Sequence, residues 1–339
     1  MQNTLCKLDT SVPQIKDALE SNRHTVQFFC YNSEPKPPYH SRSSPQRVLD
    51  STVPRLLYDS KAFPVRTTIH LGQRKLHLTE VEFFLEKLSP LKKYIVVYAG
   101  AAPGSHTVLL RKMFRNIKFH LVDPAPFDPT LKGLSRITLQ NTYFDDNVAK
   151  ELSQKYNKKR LIFISDIRCS TSEDSIRHDM EHQEKWVNIM QPKHSMLKFR
   201  LPWDMDHYSY LDGEIRFQPF PPLRSTETRL LVDRVKRGTL FPRKKYDTRL
   251  YEDQCFYHNI VQRSQYYDHP YQVPYMDHCY DCTVEFKITK RYLQSPFNNG
   301  VFKHFSVVNM VQHLTGILKS SKLKNTWIQV INNNPLKTI

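Results

Sequence analysis

Apolar and polar positions change period several times along this chain. Leu76, Leu78, Val81, Phe83, Phe84, Leu85 and Leu88 recur near i, i+3 and i+4, which predicts an amphipathic helix that Pro90 ends. Tyr94-Ile-Val-Val-Tyr98 is continuously apolar and rich in β-branched residues, the pattern of a parallel strand buried on both faces. A turn over 99–106 follows, then a helical pattern through Val108, Leu109, Leu110 and Met113. Further strands are expected at 118–122, 136–140, 161–165 and 196–199, with helices at about 147–156 and 173–190. Strand and helix alternating in this way predict an α/β doubly wound, mostly parallel sheet. After residue 211, strand-like runs at 214–217, 228–232 and 282–289 lack long helices between them, so an antiparallel edge is expected. A last helix is expected over about 306–319.

Composition adds bounds to this picture. Hydrophobic residues make up 39% of the 339 and aromatics 12%, enough for a large core and against a fibrous or wholly disordered chain. Residues 33–54 hold five Pro and five Ser, the composition of a loop or mobile arm. The organisation expected is therefore an N-terminal extension over 1–55, one domain over 56–300 and a basic helix and tail over 301–339. The longest apolar run, 94–102, has nine residues, whereas a membrane-spanning helix needs about 20. MQNTLCKLDTSVPQ has no apolar signal core, and six scattered Cys make no disulfide framework. These features predict a soluble protein of a reducing, cytoplasmic compartment, without a membrane partner.

Charge is unevenly placed. The formal net charge is +17, and the stretch from Arg224 to Arg249 holds nine Lys/Arg against three Asp/Glu. From Phe286 to Ile339 there are eight Lys/Arg and no acid. A solvated face would account for part of this, but so long an absence of acids favours a surface that binds a polyanion.

Two of the eight glycines, Gly100 and Gly104, stand four apart directly after the first strand. Without side chains they let backbone approach a ligand. The word Gly-Ala-Ala-Pro-Gly lacks the G-x-G-x-x-G spacing of a pyrophosphate cradle, and Pro103 removes an amide donor. Asp123 ends the second strand, 23 residues after Gly100, where a carboxylate can accept both hydroxyls of an adenosine ribose. A phosphate-free adenosine cofactor, S-adenosylmethionine, fits this combination.

Asp166 follows the fourth strand, at the end where open sheets place chemistry. Lys198 lies inside an apolar strand, a costly position unless paired. Glu227 precedes Leu230-Leu231-Val232, and Lys75 opens the first helix. Each alone reads as a surface charge; together they are two lysines and two acids on elements able to converge. Cys279-x-x-Cys282 with His278 and His269 lacks a second ligand pair, so no metal site is expected.

The order Lys75, Asp166, Lys198, Glu227 resembles the K-D-K-E tetrad of RNA 2′-O-methyltransferases. Six words narrow the resemblance: Gly72-Gln-Arg-Lys-Leu76, Val97-Tyr-Ala-Gly-Ala-Ala-Pro-Gly-Ser-His106, Ile164-Ser-Asp-Ile-Arg168, Leu197-Lys-Phe-Arg200, Gln218-Pro-Phe220 and Glu227-Thr-Arg-Leu-Leu231. Over roughly residues 56–290 the chain is similar to the poxvirus cap-specific mRNA 2′-O-methyltransferase family, whose members double as the regulatory subunit of poly(A) polymerase. The resemblance implies a Rossmann-like S-adenosylmethionine-dependent methyltransferase fold. It implies methyl transfer from S-adenosylmethionine to the ribose 2′-OH of the first transcribed nucleotide of 5′-capped mRNA, in the cytoplasmic factory or virion of a large DNA virus. The cofactor contacts implied are Gly100, Ala101, Pro103, Gly104, His106, Asp123 and Asp166. Lys198 would take or draw off the hydroxyl proton; whether it acts as base or as orienting group stays open.

For the cap, the family pairs two aromatics with two acids, because a methylated, cationic guanine stacks strongly on aromatic rings. Trp203 and Tyr58 match the aromatics, and Glu252 matches one acid. The ungapped position of the second acid is Met205, flanked by Asp204 and Asp206, of which Asp206 is the candidate. The family's Arg two residues after the ribose acid is Ala125 here. The alternative to an enzyme is an RNA-binding module that assists the catalytic subunit of a viral poly(A) polymerase. A cap guanine-N7 methyltransferase is disfavoured, since that reaction needs no lysine beside a hydroxyl.

Overall fold

The computed structural model describes residues 44–59, 72–222, 225–265, 267–273, 276 and 278–318. Five strands run parallel: β1 (Tyr94–Ala99), β2 (Ile117–Val122), β3 (Ile137–Gln140), β4 (Leu161–Ser165) and β5 (His194–Phe199). Strands β6 (His207–Leu211) and β9 (Arg243–Asp247) form a small antiparallel pair, while β7 (Glu214–Arg216) and β8 (Thr228–Asp233) extend the main sheet. Among the described residues the main sheet has the order β3-β2-β1-β4-β5-β8-β7, with β8 antiparallel to both neighbours. This is the Rossmann-like doubly wound α/β fold with an antiparallel edge that the periodicity predicts. The winding reverses between β1 and β4, and such a switch point opens a crevice at the carboxyl ends of the strands.

Helices α1 (Gly72–Lys87), α2 (Thr107–Met113), α3 (Asp146–Lys155) and α4 (Glu173–Met190) connect or flank the strands. Right-handed crossovers place α2 on one face of the sheet and α3 and α4 on the other. Helices α5 (Thr248–Ile260), α6 (Tyr280–Leu293) and α7 (Val307–Ile317) complete the described chain. Helix α6 lies against α1 and α7.

Four expectations need correction. The run 282–289 is not a strand but the middle of α6. Its β-branched residues favour a strand locally, yet burial of every residue from Tyr280 to Phe286 rewards a helix packed on several sides. Cys279 caps that helix by accepting from the Cys282 amide at 3.3 Å, which gives the Cys-x-x-Cys spacing a local structural role. Helix α5 and strands β6 and β9 are not among the expected elements; β9 buries only Tyr246, so no alternation reveals it. Helix α1 is not amphipathic. It is buried continuously from Arg74 to Phe84, and its polar side chains pair across to other elements. Arg74 meets Glu285 of α6 at 2.8 Å, and Glu82 meets Arg47 at 2.7 Å.

That last pair corrects the reading of 33–54 where it is described. Leu49 donates to the Ile215 carbonyl, Val48 bridges Arg216, and Val53 is buried. Arg55 pairs with Asp253 of α5 at 2.6 Å. Proline and serine suppress a regular element here, but scattered apolar and arginine anchors still dock the segment. Residues 1–43 and 319–339, and most of the expected tail with them, lie outside the described residues.

The turn after β1 is built for close backbone approach. Gly100 has φ +75°, and a Cβ there would lie 2.8 Å from the Ile167 amide nitrogen and 2.9 Å from the Asp166 carbonyl carbon. Gly238, also at positive φ, has open space around it. Gly238→Ala should therefore cost only the left-handed penalty of about 1–2 kcal/mol. Gly100→Ala should cost clearly more in urea unfolding, because backbone cannot yield; equal losses would refute the close approach.

Candidate active site

The sheet brings the four sequence-predicted polar residues to one place. Asp166 directly follows β4, Lys198 is the penultimate residue of β5, and Glu227 directly precedes β8. The β5–β8 register sets Lys198 opposite Arg229 and Phe199 opposite Thr228, so these ends converge at the switch-point end of the sheet. Lys75 enters from the first turn of α1.

Lys75 Nζ donates to Glu227 Oε1 at 2.7 Å. Lys198 Nζ lies 3.2 Å from Asp166 Oδ1 and 3.6 Å from Glu227 Oε2. Lys198 also donates to the Asp166 carbonyl at 3.3 Å. The structure adds a fifth member that the sequence reading missed: Arg229 donates to Asp166 Oδ1 at 2.6 Å and is 1% exposed. Gln218 orients it, accepting from Arg229 Nε at 2.8 Å. The signal was present, since Arg229 interrupts an apolar strand as Lys198 does.

Three buried cations thus surround two half-buried carboxylates, leaving a net +1 in the cluster. Burial alone would raise the Asp166 carboxyl, but Arg229, Lys198 and Lys75 outweigh it and hold it below the usual carboxylate range. Burial likewise opposes ionisation of Glu227, and Lys75, Lys198 and Arg229 keep it well below its ordinary value. For Lys75, burial wins and lowers the ammonium, against the pull of Glu227 and Asp166.

The glycine turn lies directly beside this cluster. Asp166 N donates to the Ala99 carbonyl at 2.9 Å, and Gly100 abuts the Asp166 backbone. Gly104 has φ +69°, with its missing Cβ 2.9 Å from the Ala101 carbonyl. Asp123 is half-buried at the end of β2; its two oxygens accept from Ala102 N at 2.9 Å and Ala125 N at 2.8 Å. Those amides aim the carboxylate and leave it lone pairs for further donors. The backbone of Ala125 therefore orients this acid where the family's arginine side chain is missing.

His106, expected among the cofactor contacts, has its ring turned away from the crevice. The side chain is 1% exposed, with Nδ1 2.7 Å from Gln73 Oε1 and Nε2 3.1 Å from Glu80 Oε2. Tyr98 donates to the same Glu80 at 2.8 Å. The ring ties the glycine turn to α1 and points into the core, because a histidine between two buried acceptors is better satisfied there than in an open crevice.

The residues matched to cap binding lie on neighbouring segments. Trp203 is 39% exposed, with the Arg200 guanidinium 3.8 Å over its ring. Tyr58 is 45% exposed and packs edge-on against Phe256 of α5 at 5.2 Å. Arg249 lies 3.6 Å from Asp206 and 3.8 Å from Glu252, which draws these two acids together. Asp204 is instead engaged by Arg177 at 2.7 Å, so Asp206 is the freer neighbour. Burial raises the Glu252 carboxyl.

The family model of the poly A polymerase regulatory subunit matches residues 45–319. The cap-specific mRNA (nucleoside-2′-O-)-methyltransferase of Myxoma virus (strain Lausanne) is 34% identical over 216 residues, covering 58% of this chain and 62% of that protein. The protein of the same name from Fowlpox virus (strain NVSL) is 32% identical over 223 residues, covering 59% and 71%. The match thus spans less than two thirds of the length of the Myxoma relative. Among solved structures, bluetongue virus VP4, described as a multifunctional RNA-capping production line, aligns at 16% identity and TM-score 0.44 over 66% of this chain and 38% of its own. The family match covers most of the chain, and the chain belongs to the poly A polymerase regulatory subunit family.

Proposed function

We propose that this protein is an S-adenosylmethionine-dependent, cap-specific mRNA 2′-O-methyltransferase, acting on the first transcribed nucleotide of capped RNA. The observation that carries this reading is the convergence of Lys75, Asp166, Lys198 and Glu227 within a few ångströms, beside a glycine turn and a ribose-type acid. The relatives' names point the same way. The turn fits S-adenosylmethionine: Gly100 and Gly104 let it fold tightly against the Asp166 backbone, since a Cβ at either would meet the chain's own backbone within 2.9 Å, and both oxygens of the half-buried Asp123 are oriented by amides. Gly100, Ala101, Pro103, Gly104, Asp123 and Asp166 would hold the cofactor, which supplies an activated methyl group when bound.

The chain's own residues would do the rest. A ribose 2′-OH is a poor nucleophile, so its proton must be drawn off as attack occurs. Lys198 is the residue for that task, held between Asp166 and Glu227. The net positive charge of the cluster stabilises oxyanion character on the attacking oxygen. Lys75 and Arg229 keep the two acids ionised and fix their direction, so alignment is established before reaction. For the cap, the Arg200 guanidinium over Trp203 shows that this ring accepts a cation on one face, and a methylated guanine would take the other. Tyr58, Asp206 and Glu252 would complete that pocket.

A second role has its own observation. The family is described as the regulatory subunit of poly A polymerase, so association with a polymerase catalytic subunit is proposed as an additional activity.

The decisive experiment supplies labelled S-adenosylmethionine with short RNAs that are capped, uncapped, or already 2′-O-methylated at the first nucleotide. Only the first should accept label. Lys198→Ala should reduce transfer at least about a hundredfold with cofactor affinity retained in calorimetry; near-normal turnover would remove Lys198 from the chemistry. Trp203→Ala should weaken capped RNA about tenfold and uncapped RNA hardly at all, and equal losses would exclude a cap role.

A pH prediction follows from the depressed carboxyls. Folded Asp166 and Glu227 titrate below their ordinary values near 3.8 and 4.5, so their contribution is present above those values. It is lost as pH falls through the lower, folded ones. Glu227→Gln should cost roughly 3–5 kcal/mol near neutrality by stranding Lys75. In urea unfolding the gap from wild type should hold above about pH 5 and shrink below about pH 4. A gap that stays constant into strong acid would show that Glu227 is not part of a charged pair.

A further inference from the structure

The end of the sheet opposite the tetrad carries a second feature. The adjacent parallel strands β2, β1, β4 and β5 are each preceded there by a basic loop: Arg115 before β2, Lys92 and Lys93 before β1, Lys158–Arg160 before β4, and Lys193 before β5. The antiparallel β8 ends at the same edge, delivering Arg234, Lys236 and Arg237. Backbone hydrogen bonds join these loops into one continuous seam. Tyr94 N donates to Asn116 O at 3.0 Å, Ile95 N to Arg160 O at 3.1 Å, Lys193 N to Leu161 O at 2.7 Å, and Arg234 N to Lys193 O at 3.2 Å.

The charge on this seam is not neutralised locally. Among the described residues none of these cations pairs with a carboxylate; Asp233, the acid at the β8 end, is taken by Lys87 and His194. Lysine and arginine in the last turn of a helix answer the helix dipole, which accounts for Arg111, Lys112 and Lys155. The loop cations lie beyond those turns. Strands are spaced about 4.8 Å apart, so the five strand ends set cations along a row of roughly 20 Å. At the β2 end the row opens into a recess of about 270 Å³, walled by Lys92, Lys93, Arg115, Asn116, Phe297 and Asn299. That volume sits at the small end of ligand sites, which run from about 300 Å³ upward, so it has room for a single small group. The recess combines cations, amides and an aromatic edge, and Leu91 at its rim is 94% exposed.

We propose that this amino-terminal edge of the sheet is a second RNA-binding surface, holding the phosphate backbone along the row from Arg115 to Arg237 and seating one nucleotide in the recess. A linear array of cations that no carboxylate neutralises among the described residues, Arg234 being held only by the Lys158 and Gln191 carbonyls, matches a polymer of evenly spaced phosphates better than an acidic protein patch, whose charges follow no such row. The choice of RNA among polyanions rests on the function proposed above. Strands of five or six residues separate this edge from the tetrad by roughly 15–20 Å, so a very short capped RNA held at the tetrad does not reach it. A longer transcript would engage both ends of the sheet at once.

The test uses the full chain with Lys92→Gln, Arg160→Gln and Lys193→Gln combined, its folding verified by thermal melting. Anisotropy with an uncapped, dye-labelled RNA of several tens of nucleotides is read from about 50 to 200 mM salt. The affinity should fall about tenfold at the lower salt, and the log–log salt slope should decrease by roughly 2, about 0.7 per lost phosphate contact. Methyl transfer to a capped dinucleotide should be unchanged. An unaltered affinity and slope would overturn the proposal. So would equal loss with the capped dinucleotide, which would place the effect at the tetrad, or loss of a polymerase catalytic subunit with RNA binding intact, which would make the edge a protein interface. If wild type methylates no capped RNA but the slope still changes, the methyltransferase reading fails and this surface stands.

Discussion

Two half-buried carboxylates at the switch point are held as anions by cations that reach them from different elements. Asp166 depends on Arg229 and Lys198, and Glu227 on Lys75. An isolated carboxylate in such a place would protonate or force the site open. The remaining architecture follows from this requirement. Strands β5 and β8 must pair in one register to place Lys198 beside Arg229, and α1 must be buried deeply enough to deliver Lys75. The buried Arg74–Glu285 pair between α1 and α6 sets the height of α1. Arg47 of the docked N-terminal segment clamps its Glu82.

The cluster and the glycine turn share backbone as well as space. Gly100 touches the Asp166 peptide, so a shift in either moves both. In a group-transfer enzyme this makes donor and acceptor positions a single rigid unit, which suits a reaction whose barrier falls mainly through alignment and fixed charge. The ring of His106 serves the same rigidity from behind, holding the turn to α1 through Gln73 and Glu80.

The two ends of the sheet divide the electrostatics. At the carboxyl end cations and acids are interleaved and mutually satisfied, leaving a small positive surplus where an oxyanion would form. At the amino end, among the described residues, cations stand in a row that no carboxylate pairs with, the nearby Asp233 being taken by Lys87 and His194. The first arrangement favours one atom in one position, and the second any chain of phosphates, which is the difference between positioned and sequence-independent contact.

Much of this was legible in the order of residues. The parallel strands are short continuous apolar runs, and a residue's side chain inside such a run has few places to go; Leu161–Ser165 and Glu173–Met190 lie where periodicity puts them. The four tetrad residues stood out because charge inside or beside apolar strands must be compensated. Arg229 carries the same mark, but its pairing partner is a matter of register between strands distant in the chain. The helical state of 282–289 and the docking of 44–59 were likewise out of reach. Local propensity and composition describe a segment's own preferences, whereas burial against α1 and β7 is supplied by residues far away. Sequence alone determined which groups must be neutralised and which strands must be buried; only tertiary structure decided which cation meets which carboxylate, because that choice is made by distances that exist once the sheet has closed.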